Sequence, residues 1–132
     1  MAHRILVVDD SDEMQDLYRA VLQVQGYEIV QARDGVEGMA ALNEGPPPDL
    51  VVLDISMPRL SGWDVLRLVR DRPEWADIPI LVISALGQPV NVQRGWSLGA
   101  ASYLYKPVAV DELVLMVNRL VSLSTAVEHN PA

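Results

Sequence analysis

The chain has 132 residues, half of them apolar, no cysteine and a formal net charge of -8. That length suits one domain with a real core, and the lack of cysteine excludes disulfides, thiolate metal sites and cysteine nucleophiles. The negative charge argues against broad binding to nucleic acid or anionic membrane, no apolar run could span a bilayer, and a start at Met1-Ala2-His3-Arg4 without a signal-peptide core leads us to expect a cytoplasmic protein.

Strand-like and helix-like segments alternate along the chain. Ile5-Leu6-Val7-Val8 is a short apolar run that ends on Asp9-Asp10. Ser11 or Asp12 can cap the next helix, in which Met14, Leu17, Val21 and Val24 recur at helical spacing before Gly26 ends it. Tyr27 to Ala32 is a second strand, and Asp34 with Glu37 three residues later has the spacing of a capping box. The helix it opens carries Met39, Ala40 and Leu42 on one face and should stop near Glu44, ahead of Gly45 and three prolines.

The next strand organises the rest. Leu50-Val51-Val52-Leu53, bounded by Pro46-Pro47-Pro48 and Pro58, is too short for a helix and reads as a strand covered on both faces. It ends on Asp54, a carboxylate at the place where open α/β sheets put their ligands. Ser61 or Gly62 then opens a third helix with Trp63, Leu66 and Val69 inward and Arg67, Arg70 and Arg72 as a solvated outer face, stopped by Pro73. Ile78 to Ser84 is the fourth strand. Gly87, Pro89 and Gly95 make the following fourth helix intrinsically weak. Ser102-Tyr103-Leu104-Tyr105 is the fifth strand, ending on Lys106-Pro107, a bond expected to be cis. Val110 to Leu123 is the final amphipathic helix. The expected organisation is one domain over residues 1–123 and a flexible tail over residues 124–132.

Such a chain closes into a doubly wound, five-stranded parallel sheet of order 2-1-3-4-5, an α/β flavodoxin-like sandwich of three layers. That order stands Asp9 and Asp10 beside Asp54 and delivers Ser84 and Lys106 to the same edge. Crowded carboxylates repel unless a cation intervenes, and oxygen-only donors point to Mg²⁺ (or Mn²⁺). Lys106 is the only lysine; a compact ammonium suits a phosphoryl oxygen or a bare carboxylate. Taken singly, Asp10 or Asp34 reads as a turn residue or cap, Ser84 as a strand-end hydroxyl and Lys106 as a solvated charge. Only the joint pattern lifts them.

That joint pattern resembles the receiver domain of a two-component response regulator. Val7-Val8-Asp9-Asp10, Leu53-Asp54-Ile55-Ser56-Met57-Pro58 with Gly62, Ile83-Ser84-Ala85 and Tyr103-Leu104-Tyr105-Lys106-Pro107 occur in that family's order, and the likeness runs from Arg4 to about Leu123. It implies that Asp54 accepts the phosphoryl group and that the acidic pair is Asp9 and Asp10. It further implies a metal held through Asp10, Asp54 and the backbone carbonyl of Ser56, with Asp9 acting mainly through water. Ser84 would supply the hydroxyl on the phosphoryl group, Lys106 the lysine and Tyr103 the aromatic switch. Two departures stand out: Ser84 replaces the commoner threonine, and Ser56 and Leu86 fall where phosphoryl lifetime is set in the family.

The resemblance implies a Mg²⁺-dependent signalling switch that takes a phosphoryl group from a histidine kinase or phosphotransfer protein and is not an enzyme, catalysing only its own phosphorylation and dephosphorylation. Output is expected through the face of the fourth helix, fifth strand and fifth helix, where Trp96, Tyr105 and Leu115 would meet a downstream protein or a second copy in a homodimer. The sequence carries no recognisable output domain of its own and leaves two cases open, a stand-alone receiver that acts by protein contact and a receiver whose output domain has been left out; neither direct nucleic-acid binding nor membrane binding is expected. Two alternatives are an unphosphorylated binding module of the same fold and an aspartate-nucleophile phosphatase. Ser56 speaks against the phosphatase, because it stands where a second Asp would serve as acid and base.

Overall fold

The computed structural model describes residues 3–55, 61–85 and 99–128. Along them run β1 (Arg4–Val8), α1 (Asp12–Val24), β2 (Glu28–Ala32), α2 (Gly35–Asn43), β3 (Leu50–Asp54), α3 (Gly62–Arg70), a short 3-10 turn (Pro73–Trp75), β4 (Ile80–Ala85), β5 (Ser102–Lys106) and a C-terminal helix (Val110–Glu128). Ser56, Leu86, Trp96 and the expected fourth helix lie outside the described residues.

The strands form one sheet in the order β2-β1-β3-β4-β5, each pair parallel. β3 occupies the middle and is buried along its whole length, as its unalternating apolar run requires. The side chains of β1, β3 and β4 divide by the period of two. Leu6, Val8, Val51, Leu53 and Val82 pack with Leu42 of α2 and Val65, Leu66 and Val69 of α3. On the other face Ile5, Val7, Leu50, Val52, Leu81 and Ile83 pack with Tyr18 and Leu22 of α1 and with Leu113, Val117, Leu120 and Val121 of the C-terminal helix. Each such fully buried aliphatic side chain contributes about 1.5–3 kcal/mol, so the sheet is stabilised about equally from both sides.

Local signals place the helix ends. Ser11 Oγ accepts from the Met14 N–H at 3.2 Å, Asp34 Oδ1 from the Glu37 N–H at 2.8 Å and Ser61 Oγ from the Asp64 N–H at 3.3 Å, three side-chain caps of the expected kind. Gly26, at φ +93°, closes α1 in the left-handed region. The Lys106–Pro107 bond is cis, as expected.

Several details correct the sequence reading. The inward stripe of α1 is Gln15, Tyr18 and Leu22, with Met14 and Val21 at its margin, while Val24 is exposed. On α2 the buried positions are Gly35, Gly38 and Leu42, and Ala40 is exposed. Trp63 is only partly buried and Val65 takes an inward place on α3. β4 begins at Ile80, two residues later than expected. The C-terminal helix continues through residues 124–128, past the end at Leu123 that the sequence predicts.

Arg70 departs furthest from expectation. It does not lie on a solvated face: Nη1 donates to the carbonyls of Trp75 and Ala76 at 3.1 and 3.0 Å, and Nη2 to those of Ile78 and Gly99 at 2.8 and 2.9 Å. Its guanidinium thereby ties the end of α3 to the approaches of β4 and β5. Burial pulls its pKa below the ordinary arginine range, with the charge of Asp77 opposing. Arg72 stacks over Trp75, 4.4 Å from the ring centre.

Candidate functional site

The acidic edge is built from strand ends. β1 stops at Val8, where the Asp9 N–H still reaches the Ala32 carbonyl at 3.0 Å. Asp9 Oδ1 accepts from the Ser11 N–H at 2.9 Å, a local Asx turn that bends the chain into α1. Beneath it the Gln15 amide, almost wholly buried, donates to the carbonyls of Val7, Asp9 and Ala32 at 3.3, 3.0 and 2.8 Å. Those bonds clamp the ends of β1 and β2 and fix where Asp9 sits.

Asp54 closes β3, opposite Ile83 of β4, and is 2% exposed. Gly62 holds the chain beyond it: its N–H donates to the Ile55 carbonyl at 3.1 Å, and a Cβ at position 62 would fall 2.5 Å from the Asp54 carbonyl oxygen and 2.6 Å from Ile55 Cα. Only glycine lets the start of α3 press this closely on β3.

One carboxylate oxygen from each of Asp9, Asp10 and Asp54 can be taken such that all three lie within 4.8 Å of one another. Asp9 and Asp54 are buried and Asp10 is exposed, so the cluster opens to solvent on one side. Lys106, delivered by β5, stands between the two buried acids: Nζ is 3.4 Å from Asp9 Oδ2 and 3.5 Å from Asp54 Oδ2. The all-oxygen donor set, the partial opening and the convergence of three acids beside one ammonium fit a hard divalent cation. Asp9, Asp54 and Lys106 extend the rows of Val7, Val52 and Leu104, on the face of α1 and the C-terminal helix.

Ser84 extends the row of Val82, on the opposite face. It is completely buried, and its Oγ has no hydrogen-bond partner among the described residues. Tyr103 shares that face, half-buried against the α2–α3 core, and burial, then the neighbouring Tyr105, pushes its phenol up. In register, Tyr103 stands opposite Val82 and Tyr105 opposite Ser84. The proposed switch pair therefore shares one side of two adjacent strands. Tyr105 and Leu115 are both exposed.

The family sequence profile of the response regulator receiver domain matches residues 5–118. The chain belongs to the response regulator receiver domain family. Receiver domains are the phosphorylation-dependent switches of two-component signalling. Among curated proteins this receiver is 39% identical over 117 residues to the DNA-binding dual master transcriptional regulator RpaA of Synechocystis, covering 89% of this chain and 48% of that one. It is 40% identical over 120 residues to the response regulator MprA of a Mycobacterium species, covering 91% of this chain and 51% of the relative. The receiver thus spans about half the length of the curated relatives it matches. Among solved structures it superposes on the Vibrio cholerae chemotaxis protein CheY4 with a TM-score of 0.84 at 29% identity, over 91% of this chain and 99% of that one. Among the described residues of the receiver, no helix is long and apolar enough to cross a membrane.

Of the residues expected at the receiver's site, Asp9, Asp10, Asp54 and Lys106 come together as expected, and Ser84 and Tyr103 share a face beside them. Ser56 and Trp96 lie outside the described residues. Sequence reasoning missed Gln15, Tyr18 and Arg70. Gln15 carried a signal that could have been read, a polar residue four positions after the N-cap Ser11 and one turn from the acids.

Proposed function

We propose that Asp54 is the phosphoryl acceptor of this switch and that a histidine kinase or phosphotransfer protein is the donor. The observation that carries the reading is the placement of Lys106 Nζ, 3.4 Å from Asp9 and 3.5 Å from Asp54, at the buried end of the central strand. A cation so placed neutralises charge without filling the in-line approach, which is what phosphoryl transfer asks of a protein.

An Asp54 carboxylate oxygen attacks the phosphorus of a phosphohistidine. A P–O bond forms as the P–N bond breaks, and the imidazole departs with the bonding pair and takes up a proton. Lys106 shifts from the Asp54 carboxylate to a phosphoryl oxygen, and the Ser84 hydroxyl, without a partner among the described residues, donates to another. Asp9, Asp10 and Asp54, with the Ser56 carbonyl, would hold Mg²⁺ or Mn²⁺, which supplies charge neutralisation on the phosphoryl oxygens. The domain catalyses only its own phosphorylation and dephosphorylation. Movement of Ser84 toward the phosphoryl group draws on Tyr103 across the same face, and the output surface is that of β5 and the C-terminal helix, with Tyr105 and Leu115 facing a downstream protein or a second copy. The exposed placement of Tyr105 and Leu115 supports that surface.

Incubation with acetyl phosphate and Mg²⁺, followed by intact mass, tests the reading. The expected result is a metal-dependent gain of one phosphoryl group that Asp54→Ala abolishes. No gain at saturating donor favours a pure binding module, and rapid turnover of unrelated phosphomonoesters favours a phosphatase.

A further inference from the structure

Gln15 lies on the inward face of α1 with Tyr18 and Leu22 and is 2% exposed. A buried amide is tolerated where its hydrogen bonds are met, and this one is met on the donor side alone. Nε2 donates to the carbonyls of Val7, Asp9 and Ala32 at 3.3, 3.0 and 2.8 Å, while Oε1 has no partner among the described residues. An unsatisfied buried acceptor is costly, and methionine, unbranched and of similar length, would fill the place without it. What an amide does here that methionine could not therefore rests on its donors.

The three carbonyls are not equivalent. β1 and β2 pair as far as Val8 with Ala32, and beyond that register the Asp9 N–H donates to the Ala32 carbonyl at 3.0 Å. In a parallel ladder the next donor would come from the chain after β2, but β2 ends at Ala32 and Asp34 already caps α2, its carboxylate turned to the Glu37 N–H. The Gln15 amide reaches the Asp9 carbonyl from α1. That carbonyl belongs to the peptide joining Asp9 to Asp10, so its direction sets how both acids leave the strand, and both belong to the cluster with Asp54. Asp9 is thus held through its N–H by Ala32, through its carbonyl by Gln15 and through Oδ1 by the Ser11 N–H at 2.9 Å.

We propose that Gln15 is a positioning residue of the cation site: by gripping the Asp9–Asp10 peptide together with the end of β2, it sets the approach of both acids to Asp54, so that cation affinity depends on an amide that touches no cation. The proposal rests on the reading of the cluster as a cation site. The unmet Oε1 is the stability given up for that placement.

The test uses the unphosphorylated chain, with Mg²⁺ binding followed by calorimetry and folding by urea unfolding in chelator. Gln15→Met removes the donors and the unmet acceptor and keeps most of the bulk. Loss of a group that orients a metal ligand commonly weakens metal binding tenfold or more, so Gln15→Met is expected to weaken Mg²⁺ binding about tenfold in the folded protein, whichever way the metal-free midpoint moves. In the Asp9→Asn background the same substitution is expected to weaken binding by much less, because both changes act through Asp9. Mg²⁺ affinity equal to wild type in a folded Gln15→Met protein overturns the proposal and leaves Gln15 a clamp on the strands alone; equal fold-losses in the two backgrounds overturn it as well. Gln15→Asn, whose amide is drawn back by one methylene, carries the same expectations and decides the matter if Gln15→Met does not fold. Failure of both variants to fold overturns the proposal, since it makes the residue structural. A folded wild type that binds no Mg²⁺ overturns the reading of the cluster and the proposal with it, an outcome distinct from a wild type and a variant that bind equally.

Discussion

Gly62→Ala is the substitution whose effect the geometry constrains most tightly. The new Cβ would fall 2.5 Å from the Asp54 carbonyl oxygen and 2.6 Å from Ile55 Cα, both backbone atoms, against the ~3.5 Å at which non-bonded carbons sit comfortably. About 1 Å of movement is needed, and no rotamer change can supply it. Forcing an extra methyl into a packed place costs about 1–3 kcal/mol. Alanine recovers up to about 1 kcal/mol over glycine inside a helix, less here because Gly62 is the first helical residue. The net expectation is a loss of about 1–2 kcal/mol, or about 3–8 °C in Tm for a domain of this size. In urea the midpoint falls while the slope stays unchanged. Displacement of the Asp54 peptide also misaligns the proposed acceptor, and an error of about 1 Å can cost on the order of a hundredfold in rate, so phosphorylation by acetyl phosphate is expected to slow by far more than stability explains. Gly38→Ala is the control: its Cβ would meet Val8 Cγ2 at 3.1 Å, a side-chain methyl that can yield. A Gly62→Ala protein as stable and as quickly phosphorylated as wild type, or a Gly38→Ala protein more damaged than Gly62→Ala, would refute the reasoning.

Arg70→Met strips four carbonyls of their shared donor and is expected to cost about 1–3 kcal/mol in urea unfolding, whereas Arg67→Met, which loses only an exposed ion pair to Asp64, stays within about 0.5 kcal/mol of wild type; equal losses from the two would contradict the latch. Burial raises the phenols of Tyr27 and Tyr103 above their unfolded value of 10.0. The folded state therefore keeps protons that the unfolded chain releases, and stability from these groups is complete below pH 10.0 and lost as pH rises through the higher folded values. Denaturant midpoints taken from pH 9 upward should fall beyond about pH 10, and Tyr27→Phe with Tyr103→Phe should lessen that fall, leaving the part carried by the more deeply buried Tyr18, whose phenol burial also raises.

The sheet was legible because its signals are local. Four apolar residues between proline breakers identify β3, and each strand that reaches the site ends on a polar residue, so topology alone gathers Asp9, Asp54, Ser84 and Lys106. Helix faces were less legible. On α1 the stripe Met14-Leu17-Val21-Val24 and the true stripe Gln15-Tyr18-Leu22 have the same spacing, offset by one residue. What favours the second is three carbonyls at the ends of β1 and β2 to which the Gln15 amide donates, a tertiary demand with no trace in the hydrophobic pattern. Arg70 failed for the same reason: its partners are backbone carbonyls as far as 29 residues along the chain. Gly62 belongs to a recognisable motif, but its necessity lies in an approach of backbone to backbone that composition does not encode.

Lys106 is the chain's only lysine, and its side chain is about a quarter exposed. Apart from the α-amino group, it is the single primary amine that an acylating reagent can find. Its reaction rate is therefore a direct chemical readout of the site, with no engineered label: an amine held between two carboxylates, or seized by a phosphoryl oxygen, differs in availability from one released by either. The residue that gathers the charges of the site also makes them countable by mass.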